Sequence, residues 1–246
     1  IAAAQLPCVI VSIMRGGPGL GTIQPAQSDY FQATRGGGNG DYRNIVLAPS
    51  TIQEAVDMTM EAFDLADQYR IPVMILADGM IGQMMEPVQW PEVDDKPLPE
   101  KPWATNGSKM KREHNIVTSL FIESHASEAH NMILEEKHQL ITQEQQRYEL
   151  LNTEDADVIL VAYGTVARIA QAAIEGLAQQ GIKAGLFRPI TLWPFPFDAL
   201  NEVAKQESVK QVVCCELSLG QLVDDVRLGV NGLKPVHLVG KAGGII

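Results

Sequence analysis

The sequence predicts an α/β fold of two domains, each with a parallel sheet covered by helices. Short, continuously apolar runs such as Pro7 to Met14 and "VMILADG" from Val73 are typical of strands buried in a parallel sheet. Amphipathic stretches separate these runs, and the order strand, helix, strand favours parallel crossovers. The chain has 246 residues, of which 46% are hydrophobic, so it can form one large domain or two small ones.

Residues 1–85 are predicted to form the first domain. Its strands are Pro7 to Met14, Asn44 to Ala48 and the run from Val73. The stretch "PSTIQEAVDMTMEAFDLADQYR" predicts a helix between the second and third strands, which Pro72 ends. A capping box begins this helix, formed either by Ser50 with Gln53 or by Thr51 with Glu54. The predicted apolar face consists of Ile52, Val56, Thr59, Phe63 and Ala66.

Residues 86–156 are interpreted as a linker strap followed by a polar helix. From Glu86 to Trp103 the sequence is rich in proline and charge and lacks periodicity. Ser124 to Asn152 is expected to be one helix, whose apolar spine is Ile133, Leu134, Leu140 and Ile141. The histidines in "HASEAHNMILEEKH" lack zincin spacing, which favours a polar helix surface over a metal site.

Residues 157–246 repeat a strand and helix alternation, which predicts an open parallel sheet wrapped by helices. The strands are "DVILVAYG", "KAGLFRP", "KQVVCCEL" and "KPVHLVG". Thr165 is expected to cap a helix from Val166 to Gln180, and Gly181 to end it. Two further helices are expected near Phe197 to Gln206 and Gly220 to Gly229. The apolar "LWPFPF" segment either caps the core or forms a surface for a partner.

Composition excludes several classes of function. A net charge of −11 and a pI near 4.9 argue against a nucleic-acid partner. No run of about 18 apolar residues exists, so no membrane span is expected. The three cysteines form no CxxC pair, which indicates a cytoplasmic setting without structural zinc. An iron–sulfur cluster within this chain would need about four thiolates. Cys214 and Cys215, adjacent in a strand, are expected to pack in the core.

A glycine-rich loop, "RGGPGLGT", follows the first strand. It has no lysine where a P-loop requires one, and no third glycine to complete a G-x-G-x-x-G fingerprint. One interpretation is a mobile surface loop. The other is a ligand site, because Arg15 stands at the carboxyl end of a parallel strand, where α/β sheets bind ligands. Its planar guanidinium suits a carboxylate or phosphate.

Four motifs then carry a family resemblance. "RGGPGLGTIQPAQSDYFQATRGGGNGDYR", "LADGMIG", "RPITLWPFP" and "CCELSLGQL" occur in order along nearly the whole chain. The chain resembles the α subunit of the 2-oxoacid:ferredoxin oxidoreductases, most closely the branched-chain (2-oxoisovalerate) and 2-oxoglutarate types. The first motif is the most specific of the four.

The resemblance implies oxidative decarboxylation of a 2-oxoacid on thiamine diphosphate, giving an acyl-CoA and passing electrons to ferredoxin. Residues 1–85 would then be part of a pyrimidine-binding domain, and 157–246 a transketolase C-terminal-like domain. The diphosphate, its Mg²⁺ and the iron–sulfur cluster would belong to partner subunits of the β and γ/δ types. The family's activating glutamate would lie upstream of Ile1, so we expect an N-terminally truncated chain that is inactive alone.

The resemblance also implies roles for individual residues. Arg15 matches the arginine that contacts the substrate carboxylate, so it is the expected catalytic and substrate-binding residue. Gly19, Gly21 and Thr22 would line the substrate pocket. No residue is assigned to the cofactor or to a metal. In the motif read as E-x-N-x-G-Q, Ser218 takes the place of the asparagine, which puts that side chain's hydrogen bonding in question.

Two alternatives remain at this point. One is the β subunit of a thiamine-dependent oxoacid dehydrogenase complex, against which the R-G-G-P loop argues. The other is a scaffold fragment with no chemistry of its own. The choice among branched-chain acids, 2-oxoglutarate and pyruvate is also open, as is the oligomeric state.

Overall fold

The computed structural model describes residues 1–90 and 100–244, which form nine strands and six helices. The strands are β1 (Cys8–Met14), β2 (Ile45–Leu47), β3 (Pro72–Asp78), β4 (Tyr148–Leu151), β5 (Val158–Val161), β6 (Ala184–Pro189), β7 (Thr191–Trp193), β8 (Gln211–Glu216) and β9 (Val236–Gly240). The helices are α1 (Tyr30–Thr34), α2 (Ile52–Tyr69), α3 (Ser124–Glu144), α4 (Gly164–Gln179), α5 (Phe197–Lys205) and α6 (Leu222–Val230). The predicted α/β class is confirmed.

The first sheet has the strand order β1-β3-β2-β7. Strand β3 pairs in parallel with β1 and β2, as the crossover through α2 predicts. Strand β7 is antiparallel to β2 and comes from the "LWPFPF" region, far along the chain. Leu192 and Phe195 are buried there. Of the two interpretations of this segment, the structure therefore supports packing in the core.

The second sheet has the order β4-β6-β5-β8-β9 and is parallel except for β4 at one edge. The expectation of one helix through Asn152 is wrong, because α3 ends at Glu144 and β4 follows. The Tyr148 ring stacks on Phe187, with ring centroids 5.5 Å apart. Pairing with β6, which is distant in sequence, decides the conformation of this short segment.

Three predicted apolar faces differ from those observed. Val11 and Ile13 lie on the same face of strand β1, and both are exposed instead of buried. On α2, Phe63 is 61% exposed, and Met58, Ala62 and Leu65 are among the buried residues. The buried residues of α3 are Leu134, His138 and Ile141, whereas Ile133 and Leu140 are exposed. Sequence periodicity marked these elements but did not fix which stripe faces the core.

The observed helix ends match the predicted ones only in part. The Thr51 hydroxyl accepts the backbone N–H of Glu54, which confirms Thr51 as the N-cap. The Glu54 carboxylate accepts the N–H of Ser50 and not that of Thr51, so only this half of the predicted capping box forms. Helix α4 begins at Gly164 with Tyr163 as its N-cap, so Thr165 lies inside the first turn and does not cap the helix. Residues 86–90 and 100–103 of the expected strap form no helix or strand, and residues 91–99 lie outside the described part.

One hydrophobic core joins the two sheets. It contains side chains of the first sheet region, such as Met14 and Tyr30, together with Phe187 and Leu222 of the second. Cys214 belongs to this cluster, whereas Cys215 packs against a separate cluster near α4. The two thiols therefore face opposite sides of β8, as strand alternation predicts. Within the described residues, no helix is long and apolar enough to cross a membrane.

Candidate functional site

The candidate site lies at the carboxyl edge of the first sheet. Strands β1 and β3 end side by side there, with Met14 opposite Asp78. The backbone N–H of Gly79 donates to the carbonyl oxygen of Met14 at 2.9 Å, which ties the two strand ends together. Arg15 is the first residue beyond this edge. Open α/β sheets bind ligands at such an edge.

The loop after Arg15 is closed by its own backbone. The Gly16 N–H donates to Gln24 O at 2.9 Å, and the Thr22 N–H donates to Gly16 O at 2.8 Å. Gly21 has a φ of +47°, and a Cβ atom there would lie 1.9 Å from Gly16 O. Only glycine fits this close approach. The loop is therefore a shaped ring whose geometry depends on Gly21.

The Arg15 guanidinium lies inside this ring. Its Nη1 donates to the carbonyl oxygen of Leu20, with longer contacts of 3.4 Å to the carbonyls of Gly16 and Thr22. Its Nη2 lies 3.5 Å from Gly19 O. Within residues 1–90 and 100–244, the Arg15 Nε–H donates no hydrogen bond. The structure thus brings Arg15 together with Gly19 and Thr22 and leaves one edge of the guanidinium free.

The "ELSLGQ" segment forms the facing wall. Buried Glu216 accepts the backbone N–H groups of Gln221, Leu222 and Val223 at the start of α6. A carboxylate at a helix N-terminus satisfies unpaired N–H groups and complements the helix dipole. The Ser218 hydroxyl donates to Glu216 at 2.6 Å and accepts the N–H of Gly220 at 3.1 Å. Serine therefore makes hydrogen bonds here that hold the turn.

Two glutamine side chains join this wall to the chain following the loop. Gln27 accepts the N–H of Leu217 at 3.1 Å and donates to the carbonyl of Tyr163 at 2.9 Å. Gln221 donates to Ser28 O at 2.6 Å and accepts the N–H of Phe31 at 2.8 Å. Gln221 lies in a motif the sequence already marked. Gln27 also lies in a marked motif, the one that begins at Arg15. Neither glutamine was assigned a role from the sequence, because their partners are distant along the chain.

Two buried aspartates also connect the domains. Asp78 accepts the N–H and the hydroxyl of Thr165, at 3.1 and 2.7 Å. Asp225 accepts the Tyr30 hydroxyl at 2.5 Å and binds both terminal nitrogens of Arg35, at 3.1 and 2.8 Å. Burial, reinforced by the charge of Asp225, raises the pKa of Tyr30 well above its usual value. Tyr30 therefore stays a neutral donor to this carboxylate.

A cavity of about 310 Å³ lies between the loop and the "ELSLGQ" wall. It is lined by Gly16, Gly17, Pro18, Ala26, Ser28, Asp29, Leu217, Ser218, Leu219, Gln221, Ala242 and Gly243. No Lys, Arg or His side chain is among these lining residues, and Asp29 supplies a carboxylate. Such a lining supplies no cationic side chain to pair with a diphosphate, and it favours an uncharged portion of a ligand.

The cysteines near this wall are not activated nucleophiles. Burial, together with the charge of Glu216, raises the pKa of Cys215 to about 11 and that of Cys214 further. Both side chains are therefore thiols at neutral pH. No group of three or more His, Cys, Asp or Glu side chains within the described ranges could hold a metal ion.

Comparison with protein families places both halves of the chain. Residues 1–155 match the family model described as "Pyruvate flavodoxin/ferredoxin oxidoreductase, thiamine diP-bdg". Residues 156–246 match "Pyruvate:ferredoxin oxidoreductase core domain II". Together the two models account for the whole sequence.

Two curated relatives agree with this placement. The chain is 46% identical to ketoisovalerate oxidoreductase subunit VorB of Methanothermobacter marburgensis, over 99% of this chain and 68% of that protein. It is 32% identical to 2-oxoglutarate synthase subunit KorA of Methanocaldococcus jannaschii, over 98% and 70% of the two chains.

A solved structure shows the same fold. It is the 2-oxoglutarate:ferredoxin oxidoreductase of Magnetococcus marinus, with 2-oxoglutarate, coenzyme A and succinyl-CoA bound, and it superposes with a TM-score of 0.78 at 23% identity. The match covers 99% of this chain and 47% of the solved one. The two family models and the relatives confirm what the four sequence motifs predict: this chain belongs to the pyruvate and 2-oxoacid:ferredoxin oxidoreductase family.

Proposed function

We propose that this chain is the α-type part of an oxidoreductase that decarboxylates 2-oxoisovalerate, forms the acyl-CoA and passes electrons to ferredoxin. The observation that carries the proposal is the 46% identity to a ketoisovalerate oxidoreductase subunit over 99% of the chain. It favours a branched-chain acid over the alternatives left open by the sequence. A similarity of this extent also argues against a scaffold without chemistry.

Arg15 is the proposed anchor for the substrate carboxylate. The loop carbonyls hold Nη1, while the Nε–H and the adjacent side of Nη2 stay available. A guanidinium edge of this kind presents two parallel N–H donors to a carboxylate. Gly19, Gly21 and Thr22 would form the neighbouring wall. Because the loop fixes the guanidinium, a bound 2-oxoacid would be oriented as well as held.

The remaining chemistry is assigned to partners. Thiamine diphosphate supplies the carbon nucleophile and electron sink that decarboxylation of a 2-oxoacid needs. The residues around the 310 Å³ cavity do not fit its diphosphate, because no cation lines them. We therefore place the diphosphate and its Mg²⁺ on partner subunits of the β and γ/δ types. We place the iron–sulfur cluster there as well, because it needs about four thiolates and this chain has three cysteines. Coenzyme A would be the acyl acceptor and ferredoxin the electron acceptor.

A second candidate substrate is 2-oxoglutarate. The observation in its favour is the 32% identity to a 2-oxoglutarate synthase subunit, also over nearly the whole chain. Like 2-oxoisovalerate, 2-oxoglutarate has the carboxylate and oxo groups that Arg15 would orient, but 2-oxoglutarate carries a second carboxylate. The rates at which the assembled enzyme turns over the two acids decide between them.

Viologen reduction by the assembled enzyme tests the proposal. With coenzyme A and thiamine diphosphate present, turnover is expected to be faster with 2-oxoisovalerate than with 2-oxoglutarate. Arg15→Ala should raise the KM for the 2-oxoacid roughly 10- to 100-fold, the loss expected for a charge-assisted pair of hydrogen bonds. Arg15→Lys should recover part of this loss, since it keeps the charge without the planar fork.

Arg227→Ala is the matched control. Arg227 is exposed on α6 and pairs only with its neighbour Asp224 among the described residues, so its loss should leave the KM unchanged. Unaltered kinetics in Arg15→Ala would overturn the assignment of Arg15. NAD reduction in place of viologen reduction would favour the dehydrogenase alternative.

A further inference from the structure

A cavity of about 330 Å³ lies at the amino-terminal edge of the first sheet, the edge opposite Arg15. Strands β1 and β3 begin there, with Cys8 opposite Pro72, and Gln5 and Arg70 stand just before them in the chain. The volume is within the range of pockets that hold small molecules. None of the described residues that line this cavity has a carboxylate side chain, and Arg70 lines it. The charge on its wall is therefore positive.

The Arg70 guanidinium is held in one orientation. Its Nε–H donates to the carbonyl oxygen of Gln5 at 3.1 Å, and its central carbon lies 4.5 Å from the centroid of the Trp103 ring. A cation over an indole face is attracted by the ring. Nη1 and Nη2 donate no hydrogen bond to any of residues 1–90 and 100–244. The edge formed by these two nitrogens is therefore open to an acceptor that takes two hydrogen bonds.

The positive charge beside this cavity has no acidic partner in the described part of the chain. Lys137 on α3 lies next to Arg70, and its Nζ donates to the Arg70 carbonyl oxygen at 3.2 Å. Burial, together with the charge of Arg70, lowers the pKa of Lys137 to about 8. Burial also lowers the pKa of Arg70. Partly buried charges are usually paired, so a bound anion would supply the partner that both cations lack among the described residues.

Aromatic and aliphatic side chains form much of the remaining wall. The Phe121 ring stacks on the His130 ring, with centroids 4.4 Å apart, and Val117 and Trp103 also line the cavity. The His130 Nε2–H donates to the carbonyl oxygen of Ala3 at 2.6 Å, which fixes the orientation of this pair of rings. Such a wall stabilises an apolar group by removing it from water.

We propose that this cavity binds a small carboxylate with an apolar body. Nη1 and Nη2 of Arg70 would hold the carboxylate through two parallel hydrogen bonds, and Trp103, Val117 and Phe121 would contact the apolar part. A phosphate also suits a guanidinium, but it has no apolar part to meet these side chains. The class of ligand is therefore a short aliphatic acid of about the size of isobutyrate. The inference does not depend on the role proposed for Arg15.

Ligand-observed NMR on the assembled enzyme tests the proposal, with isobutyrate as the probe. All measurements use the Arg15→Ala background, so that the proposed substrate anchor cannot account for binding. Adding Arg70→Gln should weaken the Kd for isobutyrate at least about 10-fold, because a charge-assisted pair of hydrogen bonds is lost. Arg70→Lys should recover part of that loss. Trp103→Leu should weaken the Kd about 3- to 10-fold, since the guanidinium loses its stacking partner.

The matched control is Arg227→Gln, which removes an exposed guanidinium on α6 and should leave the Kd unchanged. Inorganic phosphate and isobutanol each carry one half of the ligand's chemistry, so each should bind at least about 10-fold more weakly than isobutyrate. Circular dichroism checks that each variant is folded, and Arg70→Lys and Trp103→Leu decide the question if Arg70→Gln is not.

Two results would overturn the proposal. One is the absence of saturable isobutyrate binding, and the other is a Kd that the folded Arg70 and Trp103 variants leave unchanged. Phosphate binding as tight as that of isobutyrate would overturn the apolar carboxylate as the class of ligand.

Discussion

At the scale of single residues, Asp225 shows how one buried carboxylate can hold two domains together. It is 1% exposed and accepts three hydrogen bonds from Tyr30 and Arg35, which both belong to the first domain. Removing it would leave a buried hydroxyl and a guanidinium without their acceptor. The Arg35 side chain is 44% exposed, so water would compensate part of that loss.

We expect Asp225→Ala to lower the free energy of unfolding by about 2–3 kcal/mol. Chemical denaturation followed by circular dichroism measures this change. Asp224→Ala is the control, because Asp224 is 50% exposed and makes a surface pair with Arg227, a type of pair worth about 0–1 kcal/mol. Equal losses of unfolding free energy in the two variants would show that the hydrogen bonds of Asp225 do not stabilise the contact between the domains.

At the scale of elements, the start of α2 joins a helix cap to an ion pair between domains. Glu54 accepts the N–H of Ser50 at 2.7 Å and also binds Arg188 of β6. Burial would by itself raise the pKa of Glu54, but the hydrogen bonds and charge of Arg188 and Ser50 outweigh it. The pKa of Glu54 therefore lies below its ordinary value of 4.5.

A lowered pKa in the folded state means that the ionised form of Glu54 stabilises the fold above its unfolded-state pKa. Glu54→Gln should lower the free energy of unfolding by about 2 kcal/mol at neutral pH. This deficit should shrink as the pH falls through and below 4.5, because the unmodified carboxylate is then protonated too. Denaturation curves across this pH range measure it.

Glu202→Gln is the control for this experiment. Glu202 makes an exposed pair with Lys205 within α5, so its replacement should have little effect at any pH. A Glu54→Gln deficit that stayed constant well below pH 4.5 would contradict the ionic origin of the effect.

At the scale of the whole molecule, the two sheets form one structural unit. They share a hydrophobic cluster, and β7 carries the second half of the chain back into the first sheet. Gln27, fully buried, adds hydrogen bonds to Leu217 and Tyr163. The site loop is therefore oriented by the second domain as well as by the strand that precedes it.

We expect the two sheets to unfold in one cooperative transition. Gln27→Ala should lower the free energy of unfolding by about 2–4 kcal/mol, because two buried backbone groups lose their partners. The transition should move to a lower midpoint and stay single. Hydrogen exchange of the backbone amides in β3 and in β5 measures the free energy of opening of each sheet separately. Gln139→Ala serves as control, because among the described residues the exposed Gln139 side chain bonds only Glu135, one turn earlier on α3. Separate protection losses in the two sheets would contradict a shared unit.

Much of the fold could be predicted locally. The apolar strands, the α2 cap at Thr51 and the alternation of Cys214 and Cys215 follow from neighbouring residues, because side-chain spacing sets which face each residue occupies. The motif containing Arg15 and the "ELSLGQ" segment located both walls of the candidate site. The stripe buried on α2 and the exposed face of β1 could not be predicted, since they depend on which element packs opposite.

The sequence alone determined the α/β class, the strands that end at the site, and the family. Only the tertiary structure decided that Thr191–Trp193 joins the first sheet, that Tyr148–Leu151 is a strand, and that Gln27 and Asp225 join the domains. The physical reason is separation along the chain. Strand pairing and buried hydrogen bonds are selected by partners more than a hundred residues away, or by a neighbouring sheet edge, and no local pattern records them.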